Sequence, residues 1–97
     1  MSHNEKIMKF KLLPHNTQRY ESCILLIPVI NGIPNVRSAS LLEGAAMILW
    51  EYLSKGLSLD EIINSVSTNY SVDTETVLND LNSLVENLKA NNIIAED

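Results

Sequence analysis

The chain has 97 residues, 45% of them apolar, and a net charge of −5 at pH 7. The length fits a single domain spanning residues 1–97, and the apolar content is too high for a disordered chain. Cys23 is the only cysteine, which excludes an intrachain disulfide and a zinc site built from several thiolates. His3 and His15 are isolated, and we interpret both as solvated loop residues. We therefore expect neither a metal nor a cofactor.

The longest apolar run, residues 24–30, contains Pro28 and is too short to span a membrane. The N-terminal residues lack the apolar core and cleavage site of a secretory signal. We therefore expect a cytoplasmic protein without a membrane partner.

The first third of the chain has the pattern of β-structure. Met8, Phe10 and Leu12 alternate with lysines, which is typical of a strand with one buried face. Residues 14–19 are polar and are predicted to form a loop, and residues 23–30 form an apolar second strand. Asn31-Gly32 favours a tight hairpin turn, so residues 33–37 are predicted to return as a third strand. Pro28 and Pro34 indicate that this ribbon lies at a sheet edge.

Helix signals follow from residue 40 onward. Ser40 and Glu43 have the spacing of a capping box, which predicts a helix over residues 41–55 that stops at Gly56. Ser58 and Glu61 form a second capping box, which opens a shorter helix.

A third helix is predicted to begin after Asp73, which caps it, and to end at Asn91-Asn92. An i, i+4, i+7, i+11 stripe marks its buried face: Val77, Leu81, Leu84 and Leu88. Ile93 and Ile94 either pair as a short final strand or pack below the helices. The predicted fold is α+β, with an N-terminal three-stranded antiparallel sheet (about 7–38) and then three helices (about 41–92), arranged like a winged helix-turn-helix.

Residues 41–94 resemble the PqqD-like family, also called the RiPP recognition element. The resemblance lies in the order and spacing of four stretches: ILWEYL (48–53), GLSLDEII (56–63), NYSVDTETV (69–77) and VLNDLNSLVENLKANNII (77–94). The segment before the first helix, Ser-Ala-Ser-Leu-Leu (38–42), departs from the Leu-Asn pair of most members. This departure favours a diverged member that serves a pathway other than that of the founding pyrroloquinoline-quinone protein.

The resemblance implies a protein that binds the leader of a ribosomally made precursor peptide as an added antiparallel strand and presents it to a modifying enzyme. That enzyme would be a radical SAM enzyme, a cyclase or a leader protease. The family groove lies between the third strand and the third helix, which predicts these peptide-binding residues: Ile33, Asn35, Val36, Arg37, Ser38, Leu78, Asn82, Val85 and Lys89.

Several of these residues have a second interpretation. Leu78 and Val85 lie beside the core stripe and either line the groove or widen the core contact. Arg37 either pairs with an acidic leader residue or is a solvated strand residue. Both a monomer and a homodimer remain open.

The sequence contains no catalytic constellation and no glycine-rich phosphate loop, so we expect a protein that is not an enzyme. The alternative is a winged-helix DNA-binding regulator. Residues 1–37 carry five Lys or Arg against two Glu, whereas residues 38–97 carry two Lys against ten carboxylates, a balance of −8. Because DNA affinity depends on cationic contacts to phosphate, no nucleic-acid partner is expected.

Overall fold

The computed structural model describes residues 9–97, in which most strands precede three helices. The strands are β1 (Phe10–Leu12), β2 (His15–Arg19), β3 (Cys23–Ile30), β4 (Ile33–Pro34), β5 (Ser40–Glu43) and β6 (Ile94–Glu96). The helices are α1 (Ala45–Leu53), α2 (Leu59–Tyr70) and α3 (Thr74–Ala90). The α+β prediction is confirmed, with an antiparallel sheet followed by three helices in a winged-helix-like order. The described residues form more than the three strands expected.

Strand β3 is the centre of the main sheet. It pairs with β2 along one edge, and along the other edge with β4 near its end and β5 near its start. All of these pairings are antiparallel. Strands β1 and β6 form a separate antiparallel pair, so residues 93–94 do lead into a short final strand. In β1, Phe10 is buried and Leu12 is exposed; Met8, also assigned to this strand, lies outside the described residues.

Strand β2 corrects the prediction of a loop over residues 14–19. Its polar sequence, HNTQR, pairs residue by residue with β3, and four of its five residues are exposed. The apolar run of β3 supplies the buried side chains, so β2 needs to contribute little more than backbone hydrogen bonds. A polar segment can therefore form a strand when an apolar neighbour lies one tight turn away.

The third strand is shorter than predicted, and the chain pairs with β3 a second time further along the sequence. Only Ile33–Pro34 pairs with β3, and a short 3-10 helix follows over Val36–Ser38. Asn35 caps this turn by accepting a hydrogen bond from the backbone N–H of Arg37 at 3.2 Å. The chain rejoins β3 only as β5, where Ser40 lies opposite Leu26 and Leu42 opposite Ile24.

The predicted capping box at Ser40 is wrong, because Ser40–Glu43 is a strand. Residues 40–43 alternate between buried and exposed, which buries Leu42 in the core and leaves Leu41 57% exposed. Helix α1 begins only at Ala45, after Gly44, and ends at Leu53 rather than at Gly56. The burial of Leu42 against β3 therefore outweighs the local capping signal.

The signals for α2 and α3 are confirmed. In α2, the Ser58 hydroxyl accepts from Glu61 N–H at 3.2 Å, and the Glu61 carboxylate accepts from Ser58 N–H at 2.8 Å. With 12 residues, α2 is longer than the nine-residue α1, contrary to expectation. Asp73 caps α3 by accepting from Thr76 N–H at 3.3 Å.

One apolar cluster joins the sheet to all three helices. Its most deeply buried side chains include Ile24, Leu26, Trp50, Ile62, Leu81 and Leu88. His15, predicted to be a solvated loop residue, instead lies in β2, where its ring meets the Trp50 ring edge-on at 5.7 Å between centroids. Its Nδ1 lies 2.7 Å from the Leu13 carbonyl oxygen. The cluster fixes the distance between β5 and α3.

Candidate functional site

A groove of about 410 Å³ runs between β5 and α3. One wall is β5 with Ala39 before it, and the other is a line of α3 side chains at i, i+3, i+4 and i+7. The start of α1 forms the floor at one end, where small side chains leave room. The α3 residues are Asp80, Ser83, Leu84 and Asn87, and the α1 residues are Ala45 and Ala46.

A hydrogen-bond network closes one end of the groove. The Ser40 hydroxyl donates to Asn87 Oδ1 at 3.1 Å and accepts from Asn91 Nδ2 at 2.8 Å. Ser40, only 4% exposed, thereby joins the start of β5 to the end of α3. Ser40 contacts Asn87 at this end, whereas Ala45, just after β5, and Asp80 both line the cavity at the other end, so strand and helix run in opposite directions along the groove.

The backbone of β5 presents hydrogen-bonding groups to this groove. In the β2–β3 hairpin, Tyr20 N–H donates to the Cys23 carbonyl and Val29 N–H to the Pro14 carbonyl, both at 2.9 Å. Hydrogen-bonded and non-bonded residues alternate in antiparallel pairs, so the odd-numbered residues of β3 bond to β2 and the even-numbered ones bond to its other neighbours. Asn35 N–H, which donates to the Pro28 carbonyl, agrees with this assignment.

The same alternation shows which backbone N–H and C=O groups of β5 form hydrogen bonds with β3. Ser40 and Leu42 lie opposite Leu26 and Ile24, so their backbone groups bond to β3. The N–H and C=O of Leu41 and Glu43 therefore point away from β3, toward the side on which the groove lies. An edge of this kind is a template for a further strand.

Gly44 makes the corner between β5 and α1. Its φ of 59° and ψ of −130° lie in a region that L residues with a side chain rarely adopt. Because Gly44 turns the chain in a single residue, α1 starts directly beside the end of β5. Ala45 is thus placed at the end of the groove.

A second, apolar cleft of about 440 Å³ adjoins the groove and shares Ala45 and Asp80 with it. It lies between the three helices. Its remaining lining consists of Gly44, Ile48, Leu49, Val66, Tyr70, Val72 and Val77. Among the residues that the structure describes, Asp80 is the only charged one that lines it, and Tyr70 at its rim is 50% exposed. The groove thus continues into an apolar cleft at the end opposite Ser40.

The charges along this surface have one sign. Glu43 and Asp80 are the charged residues that line the groove, and no Lys or Arg lines either concavity among the described residues. The nearby Glu51 forms an ion pair with Arg19. The groove is therefore acidic where it meets the apolar cleft and neutral and polar at the Ser40 end.

The predicted site residues lie elsewhere on the molecule. Ile33 belongs to β4, and Asn35, Val36, Arg37 and Ser38 form the cap and turns of the 3-10 helix. None of these five residues lines the groove. Ile33 and Val36 are exposed, at 68% and 69%.

The predicted α3 residues lie across the helix from the groove. Leu78 and Asn82 are each two residues from Asp80, and Val85 and Lys89 are each two residues from Asn87. Two residues turn an α-helix by about 200°, which places each of them roughly opposite a groove residue.

Their surroundings agree with that placement. Val85 is 8% exposed and belongs to the core cluster, so the interpretation that it widens the core contact holds. Lys89 pairs with Glu96 at 2.9 Å. The sequence contains no signal for the groove residues of β5, because Ser-Leu-Leu-Glu does not alternate between polar and apolar and its buried–exposed alternation appears only in the structure.

Within residues 9–97, no group of three or more His, Cys, Asp or Glu side chains is placed to hold a metal ion. In the same part of the chain, every helix is too short or too polar to cross a membrane.

The family model described as "Coenzyme PQQ synthesis protein D (PqqD)" matches residues 34–94, which is most of the chain. The match includes β5, all three helices and thus both walls of the groove. No curated protein and no solved structure matches the chain significantly.

Proposed function

Because the chain belongs to the PqqD family, we propose that it binds the leader of a ribosomally made precursor peptide by strand addition at β5. The family suggests a peptide-binding, chaperone-like role in the biosynthesis of modified peptides. In this proposal the protein is an adaptor without catalytic activity of its own. It presents the leader to a modifying enzyme, either a radical SAM enzyme, a cyclase or a leader protease.

The outward-facing edge of β5 is the observation that supports strand addition. The backbone groups of Leu41 and Glu43 point away from β3, and α3 lies across the groove from them. In this recognition mode, backbone hydrogen bonds supply affinity and side-chain pockets supply specificity.

A comparison of the free-energy terms of peptide binding indicates that side-chain contacts must contribute to the affinity. Leu41 and Glu43 offer four backbone groups, and each hydrogen bond contributes about 0.5–1.5 kcal/mol net. Ordering each peptide residue costs about 1–2 kcal/mol of backbone entropy. Over four or five peptide residues this cost is about 4–10 kcal/mol, which exceeds the roughly 2–6 kcal/mol that four hydrogen bonds contribute. Net affinity must therefore come from contacts in the groove and the adjoining apolar cleft.

This proposal moves the binding edge from residues 33–38 to Ser40–Glu43. The earlier assignment of Ile33, Asn35, Val36, Arg37, Ser38, Leu78, Asn82, Val85 and Lys89 stays a prediction. The two locations are distinguishable, because β4 and the far side of α3 share no residue with the groove lining.

A test starts from peptides selected from a random display library against the wild-type protein. The most enriched peptide is then titrated into isotope-labelled protein while amide shifts are followed. We expect the largest shifts in residues 40–44 and along the groove side of α3. If the shifts are confined to residues 33–38 and the far side of α3, the binding edge is β4 rather than β5.

Leu41→Pro sharpens this test. It removes an N–H that β3 does not use, and proline is tolerated on an edge strand when the missing donor faces outward. We expect the variant to stay folded by circular dichroism and to bind the selected peptide at least about tenfold more weakly, because a backbone hydrogen bond and the close approach of the strand are both lost. Leu42→Pro is the matched control: it removes a donor used by β3 and should unfold the protein.

The DNA-binding alternative lacks support from the charges on α3. The helix carries Glu75, Asp80 and Glu86 on its exposed surface and Lys89, which pairs with Glu96. An acidic helix is repelled by phosphate. We expect no mobility shift of duplex DNA at physiological salt, and a salt-sensitive shift at sub-micromolar protein would revive this alternative.

A further inference from the structure

We infer that the bound segment carries a large apolar residue followed directly by Lys or Arg at its N-terminal end. The apolar side chain fills the cleft between the helices, and the basic one faces Glu43. This inference rests on the proposed strand addition at β5 and adds the class of peptide that the groove selects.

The direction of the peptide follows from the geometry of the groove. An antiparallel partner of β5 runs from the Glu43 end toward the Ser40 end. The apolar cleft adjoins the groove at Ala45 and Asp80, beyond Glu43. The residues at the N-terminal end of the bound segment therefore lie next to the cleft.

The alternation of side chains in strands fixes the order of the two residues. Ser40 and Leu42 turn inward, whereas Leu41 and Glu43 turn outward. A peptide residue opposite Glu43 shares its outward face and becomes its cross-strand neighbour. The residue before it turns inward, toward Ala45 and the cleft.

The chemistry of the two positions differs. The cleft has apolar walls from Ile48, Val66 and Val72, and its volume of about 440 Å³ accommodates a Leu, Phe or Trp side chain. Glu43 and Asp80 flank the junction, and within residues 9–97 no Lys or Arg lines it. An acidic residue entering there would meet two carboxylates, whereas a basic one would meet opposite charge on both sides.

The polar end of the groove completes the pattern. The Ser40 hydroxyl and the Asn87 side chain form a hydrogen bond with each other, so the described lining at this end of the groove is polar rather than an apolar pocket. The leader should therefore be anchored at the N-terminal end of its bound segment and held there by charge and apolar burial.

The test is display selection with charge-reversed proteins. A random peptide library is selected in parallel on the wild type, on the double variant Glu43→Lys with Asp80→Lys, and on a control, Glu21→Lys with Glu86→Lys. The control has the same change in net charge at exposed positions outside the groove lining. All three proteins are checked by circular dichroism.

On the wild type, we expect enrichment of a large apolar residue followed by Lys or Arg. On Glu43→Lys with Asp80→Lys, the residue after the anchor should change to Asp or Glu, and the wild-type peptide should bind about three- to tenfold more weakly. The Glu21→Lys with Glu86→Lys protein should keep the wild-type preference. An identical change in both double variants would mean that only net charge is sensed and would overturn the inference.

The apolar anchor is tested with Ala45→Phe, which places a ring where the groove joins the cleft, against Ala90→Phe at the exposed end of α3. The first should abolish the preference for a large apolar anchor, and the second should not. If peptides bind at the β5 edge without an anchor–basic pair, this inference fails while the proposed function stands. If no selected peptide shifts the β5 amides, the proposed function itself fails and this inference with it.

Discussion

Ser40 Oγ donates a hydrogen bond to Asn87 Oδ1 at 3.1 Å and thereby ties β5 to α3 across 47 residues of sequence. The same hydroxyl accepts from Asn91 Nδ2 at 2.8 Å. The separation of the groove walls at this end therefore depends on one buried serine.

Replacement of Ser40 by alanine should lower the free energy of unfolding by about 1–2 kcal/mol, because two hydrogen bonds are lost and their amide partners must find water. Urea denaturation of Ser40→Ala measures this loss. Ser22→Ala, in the exposed β2–β3 turn, is the control and should change stability by less than about 0.5 kcal/mol. An equal effect of the two substitutions would show that the hydrogen bonds of Ser40 to Asn87 and Asn91 do not stabilise the fold.

Ser40 also illustrates where sequence reasoning stops. The tetrapeptide Ser-Leu-Leu-Glu has the spacing of a capping box, which favours a helix, and it lacks the polar–apolar alternation that would indicate the strand it forms. The pairing of Leu42 with Ile24 decides between the two, and that partner lies in another part of the chain. By contrast, the caps at Ser58 and Asp73 were predictable because their partners lie three residues away.

The face of α3 that borders the groove could not be derived from periodicity either. The core stripe from Val77 to Leu88 has a flank on each side, one with Leu78 and Asn82, the other with Asp80 and Ser83. Which flank adjoins the sheet depends on how the helices pack against β5, a long-range property. Strand β2 was not predicted for a similar reason. Its polar sequence carries no strand signal of its own, and it forms a strand because it pairs with β3.

Gly44→Ala should destabilise the protein by about 1–3 kcal/mol, because φ of 59° with ψ of −130° is strained for an L residue. Within residues 9–97, and apart from Gly44 and its two chain neighbours, no atom lies within 4 Å of the position that its Cβ would take, so backbone strain is the cause rather than a clash. D-alanine at position 44, introduced by chemical synthesis, is the control. The mirror image of these angles lies in the polyproline II region, so D-alanine should preserve stability. Equal losses from both residues would contradict the backbone explanation.

Glu61 gives a pH dependence with a defined sign. The backbone N–H of Ser58 donates to its carboxylate and, together with the Ser58 side chain, holds the pKa of Glu61 below its ordinary value of 4.5. A group whose pKa is lowered by folding adds stability above its unfolded pKa and loses it as pH falls through its folded pKa. Wild type should therefore exceed Glu61→Gln in stability at neutral pH, and the difference should shrink below about pH 4.5. Urea denaturation over a pH series measures the difference, and a pH-independent value would contradict this role.

A matched pair of tryptophan variants distinguishes the two flanks of α3. Ser83 lines the groove, whereas its neighbour Asn82 lies about 100° around the helix and is absent from the groove lining. Both residues are exposed, so either indole should be tolerated without unfolding. Ser83→Trp places a large ring in a groove of about 410 Å³, where it would occupy space that an added strand needs. We expect it to weaken binding of the selected peptide at least about tenfold by calorimetric titration, and Asn82→Trp to change it less than about twofold.

The outcome of this pair bears on the earlier assignment as well as on the proposed one. If Asn82→Trp weakens binding and Ser83→Trp does not, the peptide lies on the flank of Leu78 and Asn82, and the β5 groove is not the site. Val85→Asp cannot make this distinction, because Val85 is 8% exposed within the core and an unpaired carboxylate there should unfold the protein. Thermal unfolding of both tryptophan variants serves as the control, since a variant that melts near the wild-type temperature and has lost peptide binding has lost the site and not the fold.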